Sequence, residues 1–435
     1  MIELEDRGYS SPRASYEYLD CSLPLTFDQY SICSYNCLYC FAFYQRAMNA
    51  ASAEDFWDRK VSAVSLDWLK SIFIDYEQDS GKGGVDRLRG MIRQRIPLHW
   101  GGLSDPADEF EKRFKRGYEI IQFLAEIQYP TLFSIKGDAF LQPEYLDIFS
   151  KNKDLFKFQV SITSADEKMA QGIEMGVPTP TRRLEIMKTL HDVGCEVMLR
   201  LRPYIIGYSD KNIEELLVRS KEAGSTAVSM EFFCLERRAA GYLRERYEQM
   251  NSVLGFNIYD YYKHLSRGSA GGYARLNPNT KAKYVKQVYQ LCRKLGMRFA
   301  CSDAHFKELN DTGCCCGLDD SWNWSRGQYT SALIKCRKSG TVCWKDIEKD
   351  TTWEKNWKFS EVRNCASWKR YRRHKHLDCQ SAKLNIWNDP KNKSSPYRYF
   401  EGRMVPTSLD EDKNIVYKYS KHPEEDSIVE NSNPK

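Results

Sequence analysis

Short apolar or β-branched runs alternate with longer amphipathic stretches through most of the chain, the order expected of strands and helices built in turn around a parallel sheet. The runs that read as strands are Leu23–Tyr30, Pro97–Trp100, Thr131–Ile135, Phe158–Thr163, Glu196–Arg202, Ala227–Phe233 and Met297–Ser302. Between them, helical spacing runs from Phe41 to about Ala63 and over Glu109–Gln128, Pro143–Lys151, Thr181–Val193, Ile213–Ala223 and Pro278–Leu295. Two of these helices end just before a glycine, Gly194 and Gly224, placed where a left-handed C-terminal cap is needed. Residues 1–20 carry no period and read as a leader, and the Gly/Ser-rich Ser266–Gly272 reads as a mobile loop.

Composition sharpens this picture. The 435 residues suffice for one barrel of about 250 residues plus an extension. With 42% hydrophobic and 29% charged residues the chain is an ordinary globular one, and no apolar run approaches the roughly 20 residues of a membrane span. No membrane partner is expected. The start, Met1 to Arg7, is acidic and lacks the apolar core of a signal peptide. Fifteen cysteines in such a chain point to metal ligation and reduced thiols, and so to the cytoplasm. Charge is uneven: residues 321–435 hold 23 Lys and Arg against 15 Asp and Glu, whereas residues 1–320 hold 42 against 44.

The first candidate chemistry follows the first strand. Cys33, Cys37 and Cys40 stand in a CxxxCxxC spacing, with Tyr39 directly before the last. Three thiolates on so short a loop can hold three corners of a cubane iron–sulfur cluster and leave one iron without a protein ligand. A zinc knuckle is the alternative; it wants four ligands, for which Cys21 is available, while no histidine falls within residues 1–98.

The spacing and Tyr39 resemble the signature of the radical S-adenosylmethionine (radical SAM) superfamily. The resemblance implies an α/β fold, a partial (β/α)6-type barrel. It implies a 4Fe-4S cluster on Cys33, Cys37 and Cys40, with S-adenosyl-L-methionine (SAM) chelating the fourth iron. Reduction would split SAM to a 5′-deoxyadenosyl radical that abstracts hydrogen from a substrate, with flavodoxin or ferredoxin as a fitting electron donor. Along the chain the expected units are the leader 1–20, the barrel 21–305, a Cys/Trp-rich basic extension 306–405 and a disordered tail 406–435.

In a parallel barrel the reactive groups lie at the C-terminal ends of strands. Those ends are polar here. Gly101-Gly102 lets backbone approach a ligand, and the resemblance implies contact with the SAM amino group, although Leu103 stands where an acidic residue is usual. The segment His99–Glu109, with Ser134 and Lys136 and then Ser161 and Thr163 on the following strand ends, is similar to the spore photoproduct lyase branch of the superfamily. Gly172-Ile173-Glu174 and Arg182-Arg183-Leu184 resemble further motifs of that branch, with Met175 in place of a proline. The structural alternatives are a plain turn at the glycines, helix capping by Asp105 and Glu109, and a surface lysine at 136. Arg200 and Arg202 share one face of their strand and could pair with the SAM carboxylate. The candidate cofactor-binding set is therefore Gly101, Gly102, Ser134, Lys136, Ser161, Thr163, Arg200 and Arg202.

A second group, Cys301 with Cys314-Cys315-Cys316, could hold an auxiliary iron–sulfur cluster, with zinc as the competing metal. Residues 321–379 interleave six tryptophans, Trp322, Trp324, Trp344, Trp353, Trp357 and Trp368, with basic residues that peak at Lys369–His376. Basic residues neutralise phosphates and exposed aromatics stack on unpaired bases, while buried tryptophans would instead make the core of a small satellite domain. Taken with the branch resemblance, this favours a nucleic acid base or nucleotide as substrate, repaired or modified. A small metabolite or protein substrate is the alternative, and a zinc-stabilised nucleic-acid-binding protein without catalysis is the alternative from another class.

Overall fold

The computed structural model describes residues 4–5, 11–15, 21–48, 57–58, 60–78, 80–270, 272–322, 329–358 and 376–421. The chain divides into two compact units, one of residues 1–12, 26–69 and 98–297, the other of 13–25, 70–97 and 298–435.

The first unit is built on strands β1 (Leu25–Phe27), β2 (Asn36–Cys37), β3 (Leu98–Trp100), β4 (Thr131–Ile135), β5 (Phe156–Ser161), β6 (Glu174–Met175), β7 (Glu196–Tyr204) and β8 (Ala227–Phe232). Six of them pair in parallel in the order β8-β7-β5-β4-β3-β1. The intervening helices are α1 (Phe41–Ala47), α2 (Glu109–Phe114), α3 (Arg116–Glu126), α4 (Pro143–Lys151), α5 (Glu167–Ile173), α6 (Pro180–Asp192), α7 (Ile213–Glu222), α8 (Tyr242–Leu254), α9 (Ile258–Leu265) and α10 (Pro278–Lys294). Strand, helix, strand repeats as the hydrophobic pattern predicts, and the predicted α4 and α7 agree to within one residue.

Register sorts the sheet into an apolar and a polar face. Phe27, Trp100, Phe133, Phe158 and Val197 stand opposite one another across five strands. The four aromatic rings pack in sequence, Phe27 edge-on to Trp100 at 4.7 Å, Trp100 tilted against Phe133 at 5.2 Å and Phe133 stacked on Phe158 at 5.1 Å. Side chains alternate along a strand, so the neighbouring positions Ser134, Gln159, Ser161, Arg200 and Ser229 fall on the other face. There His99 Nε2 meets Ser134 Oγ at 2.9 Å, and Ser134 donates to Gln159 Oε1 at 2.9 Å. A buried face of hydrogen-bonded polar side chains is costly to build without partners.

Several expectations are corrected. The helix predicted over Glu109–Gln128 breaks at Lys115, which takes φ 53°, because the buried Glu111 carboxylate accepts the amides of Gly117 and Tyr118 at 2.8 and 2.9 Å and starts a new helix. The helix predicted from Phe41 to Ala63 ends at Ala47, and Val61–Ser62 is a strand that pairs with Leu4–Glu5 of the expected leader. Ser266–Ala270 is a strand of a hairpin with Tyr273–Leu276 rather than a loop.

In the second unit Thr341–Val342, Ile415–Tyr419 and Met404–Leu409 form an antiparallel sheet. This corrects the disordered tail expected from residue 406. Alternation buries Ile415 and Tyr417 and leaves Lys418 in solvent, enough to order the hairpin as far as Tyr419; residues 422–435 lie outside the described ones. Trp344, Trp357 and Trp387 are buried, and Trp387 donates to the Ile415 carbonyl at 2.7 Å and packs edge-on against Tyr417. Trp344 and Trp357 are thus core residues and cannot stack on bases. Trp324, Trp368 and the basic run 369–375 lie outside the described residues. The strand predicted over Met297–Ser302 is Arg298–Cys301 and belongs to this unit.

Candidate functional site

Beyond β1 the chain enters the cysteine loop, and three acidic residues hold the loops around it. Asp28 Oδ1 accepts the amides of Leu103 and Ser104 at 2.9 and 2.8 Å. Asp105 accepts the amides of Ala107 at 2.9 Å and Lys136 at 2.5 Å. Asp108 accepts the Ser34 amide at 2.7 Å and caps α2 through Phe110 N at 3.0 Å. Capping therefore falls to Asp108, and Asp105 ties one strand-end loop to the next. Burial pushes the carboxyl of Asp105 up to about 6 and that of Asp108 to about 7.

Gly101 takes φ 103°, and a Cβ there would lie 2.4 Å from the Ser134 carbonyl oxygen. At Gly137 a Cβ would meet the Ala107 oxygen at 2.0 Å. Both glycines let one strand-end loop lie directly on another.

Cys37 lies in β2, which pairs antiparallel with β6, Cys37 opposite Glu174. The Leu38 amide donates to the Ile173 carbonyl at 2.9 Å, and Cys40 is the residue from which α1 starts. From α8 the buried Arg246 donates to Asn36 Oδ1 at 2.6 Å and to the Cys37 carbonyl at 2.7 Å, with its guanidinium 3.7 Å above the Phe43 ring. The cysteine loop is held from three directions.

Glu174 is the hub. Its Oε2 pairs with Arg183 at 2.5 Å and its Oε1 with Lys136 Nζ at 3.1 Å, and it accepts the Tyr39 hydroxyl. Burial disfavours its charge, but Arg183 and Lys136 outweigh burial and hold the carboxyl down at about 2. Lys136 also donates to the Tyr39 oxygen at 2.5 Å and reaches Cys37 Sγ at 3.6 Å. It is therefore not a surface lysine. Burial raises the thiol of Cys37 to about 11 against the opposing charge of Lys136, and burial with the nearby Asp108 and Asp105 also raises that of Cys33 well above its ordinary value.

Among the described residues no three His, Cys, Asp or Glu side chains gather as they would around a single metal ion. A cubane asks for something different, one thiolate on each of three irons. The donor set fits such a group: three thiols on one braced loop, with a lysine ammonium against one of them. Loading would release their protons, since the ligand is the thiolate.

Of the remaining predicted site residues, Ser161 gives its carbonyl to Arg183 NH1 at 2.8 Å, and Thr163 is buried. Arg202 pairs with Glu231 at 3.5 Å. Arg200 stands level with Ser161 and Ser229. In the second unit Ser22 Oγ donates to Cys314 Sγ at 3.1 Å, Cys314 and Cys316 are buried, and Cys301 is buried with its amide on Asn310 Oδ1 at 2.7 Å. The candidate set had not contained Glu174, Arg183 or Arg246. The first two lie in the branch-like motifs already noted; Arg246 has no signal in the sequence.

No family model matches the chain. A 71-residue stretch is 37% identical to the uncharacterized protein ORF301 of Acidianus two-tailed virus, covering 16% of this chain and 24% of that protein. The chain thus spans about a quarter of the length of that relative. Among solved structures it is similar to spore photoproduct lyase complexed with dinucleoside spore photoproduct, with a TM-score of 0.50 and 12% identity over 68% of this chain and 80% of that one. It also matches SuiB of Streptococcus suis, with a TM-score of 0.39 and 14% identity over 70% of this chain and 53% of that one. Strand order and strand direction give the chain a mixed α/β fold on a largely parallel sheet, the fold it shares with spore photoproduct lyase.

Proposed function

We propose that the protein is a radical SAM enzyme acting on a nucleic acid base or nucleotide. The observation that carries the reading is the braced loop of Cys33, Cys37 and Cys40, set beyond β1 of a parallel sheet with Lys136 against Cys37 Sγ. A 4Fe-4S cluster there, with SAM on its open iron, supplies one-electron cleavage of SAM and hydrogen abstraction. The protein's part is to hold the three thiols, through Glu174, Arg183 and Arg246, and to offer polar side chains on one sheet face. Ser134, Ser161 and Arg200 lie on that face, and with Gly101, Gly102, Lys136, Thr163 and Arg202 they are the groups we assign to SAM. An arginine at a strand end suits the SAM carboxylate.

The substrate class rests on the fold shared with spore photoproduct lyase, solved in complex with dinucleoside spore photoproduct, and on the basic balance of residues 321–435. A base in a duplex would have to be extruded to reach a radical held in a barrel.

Anaerobic reconstitution with iron and sulfide, followed by reduction in the presence of SAM, tests the chemistry. Methionine and 5′-deoxyadenosine should form, and Cys37→Ala should abolish both. Protein that takes up zinc and no iron, or that leaves SAM intact, would overturn the reading. Binding of labelled single-stranded DNA and RNA at two salt concentrations tests the substrate class; absence of salt-dependent binding removes it.

A further inference from the structure

Lys136 sits on two constraints at once. Its backbone amide is held by Asp105 at 2.5 Å, with Gly137 N on the same carboxylate oxygen at 3.3 Å. Its side chain is 14% exposed, and its ammonium is fixed by Glu174, by the Tyr39 hydroxyl and by the Tyr39 ring, whose centroid lies 4.7 Å away. The side chain therefore has one place to be, and in that place Nζ lies 3.6 Å from Cys37 Sγ.

Two cations meet one carboxylate beside that sulfur: Lys136 and Arg183 both pair with Glu174, which also accepts the Tyr39 hydroxyl. Arg246 adds another buried cation on the Cys37 carbonyl. Glu174 pairs with both Lys136 and Arg183, with Arg183 on its second oxygen at 2.5 Å, and Asp105 lies on the backbone side of Lys136. Of these groups, the Lys136 ammonium is the one set against the Cys37 sulfur.

From this geometry we infer that Lys136 is a tuning residue, which raises the reduction potential of the cluster held by Cys33, Cys37 and Cys40. The inference rests on the cluster assignment proposed above and adds to it a role for one named side chain. Reduction places one more negative charge on the cluster, and a fixed cation at its ligand sulfur stabilises the reduced form over the oxidised one. The environment is buried, so the charge is weakly screened.

The test is a redox titration of the reconstituted full chain with dithionite, followed by electron paramagnetic resonance, for the wild type, Lys136→Gln and Lys136→Arg. Gln keeps hydrogen-bonding capacity toward Glu174 and Tyr39 and drops the charge; Arg keeps the charge. Lys136→Gln should lower the ratio of reduced to oxidised cluster at a fixed potential about tenfold, a shift of about 59 mV for one electron. Lys136→Arg should stay near the wild type. Iron and sulfide content, measured alongside, should match in all three. If Gln does not load, Lys136→Met is titrated in its place, with the same shift expected. A loaded uncharged variant with unchanged potential, or equal shifts in Gln and Arg, overturns the inference and leaves the cluster assignment standing. A wild type that takes up no cluster overturns both.

Discussion

Arg183 and Glu174 form an ion pair of 2.5 Å with both side chains 1% exposed. Glu174 opens the short strand that pairs with Cys37, and Arg183 lies on the helix that follows, so this pair joins the cysteine loop to the body of the first unit.

Removing one member of such a pair leaves a charge buried without its counter-ion, at a cost of about 3–5 kcal/mol. Arg183→Met should lose that much stability in a denaturant titration. The variant should also take up less iron on reconstitution than the wild type, because Glu174 would no longer be held from its Arg183 side.

Arg246 acts on the same loop from α8. Arg246→Met removes two hydrogen bonds from a buried guanidinium, to Asn36 Oδ1 and the Cys37 carbonyl, with an expected loss on the order of 2 kcal/mol. Hydrogen exchange followed by mass spectrometry should show faster exchange in the peptide that carries residues 36–40, and unchanged exchange in β7.

At Gly101 the constraint is steric. Alanine would meet both the positive φ and the Ser134 carbonyl, so Gly101→Ala should cost roughly 1–3 kcal/mol in thermal denaturation. It should also slow 5′-deoxyadenosine formation more than Gly81→Ala, a position with positive φ and no atom within 4 Å.

In the second unit Glu354 pairs with Lys383 at 2.5 Å, both essentially buried. Burial dominates and raises the Glu354 carboxyl to about 7, against the pull of Lys383. A folded-state pKa above the unfolded one, near 4.3, means that the folded protein binds more protons between those values. Glu354 therefore contributes a loss of stability as pH rises from about 4.3 to about 7. Denaturation curves across that window should be flatter for Glu354→Gln than for the wild type.

Much of this protein was legible along the chain. The predicted strands are found within about two residues at most ends, because a strand buried on a parallel sheet announces itself as a short apolar run bounded by turn residues. Missing from the local pattern was the break at Lys115, which depends on a buried Glu111 capturing two amides of the next helix.

The amino-acid order by itself determined the strand and helix sequence, the alternation of faces and the three thiols in one loop. Only the tertiary structure decided what braces those thiols. Tyr39 and Glu174 are 135 positions apart, and Arg246 and Cys37 are 209 apart. Periodicity reports which face a side chain presents, whereas the partner it meets depends on which strands lie side by side and in what register. The buried tryptophans follow the same rule: composition placed them among basic residues, and packing put Trp344 and Trp357 in a core.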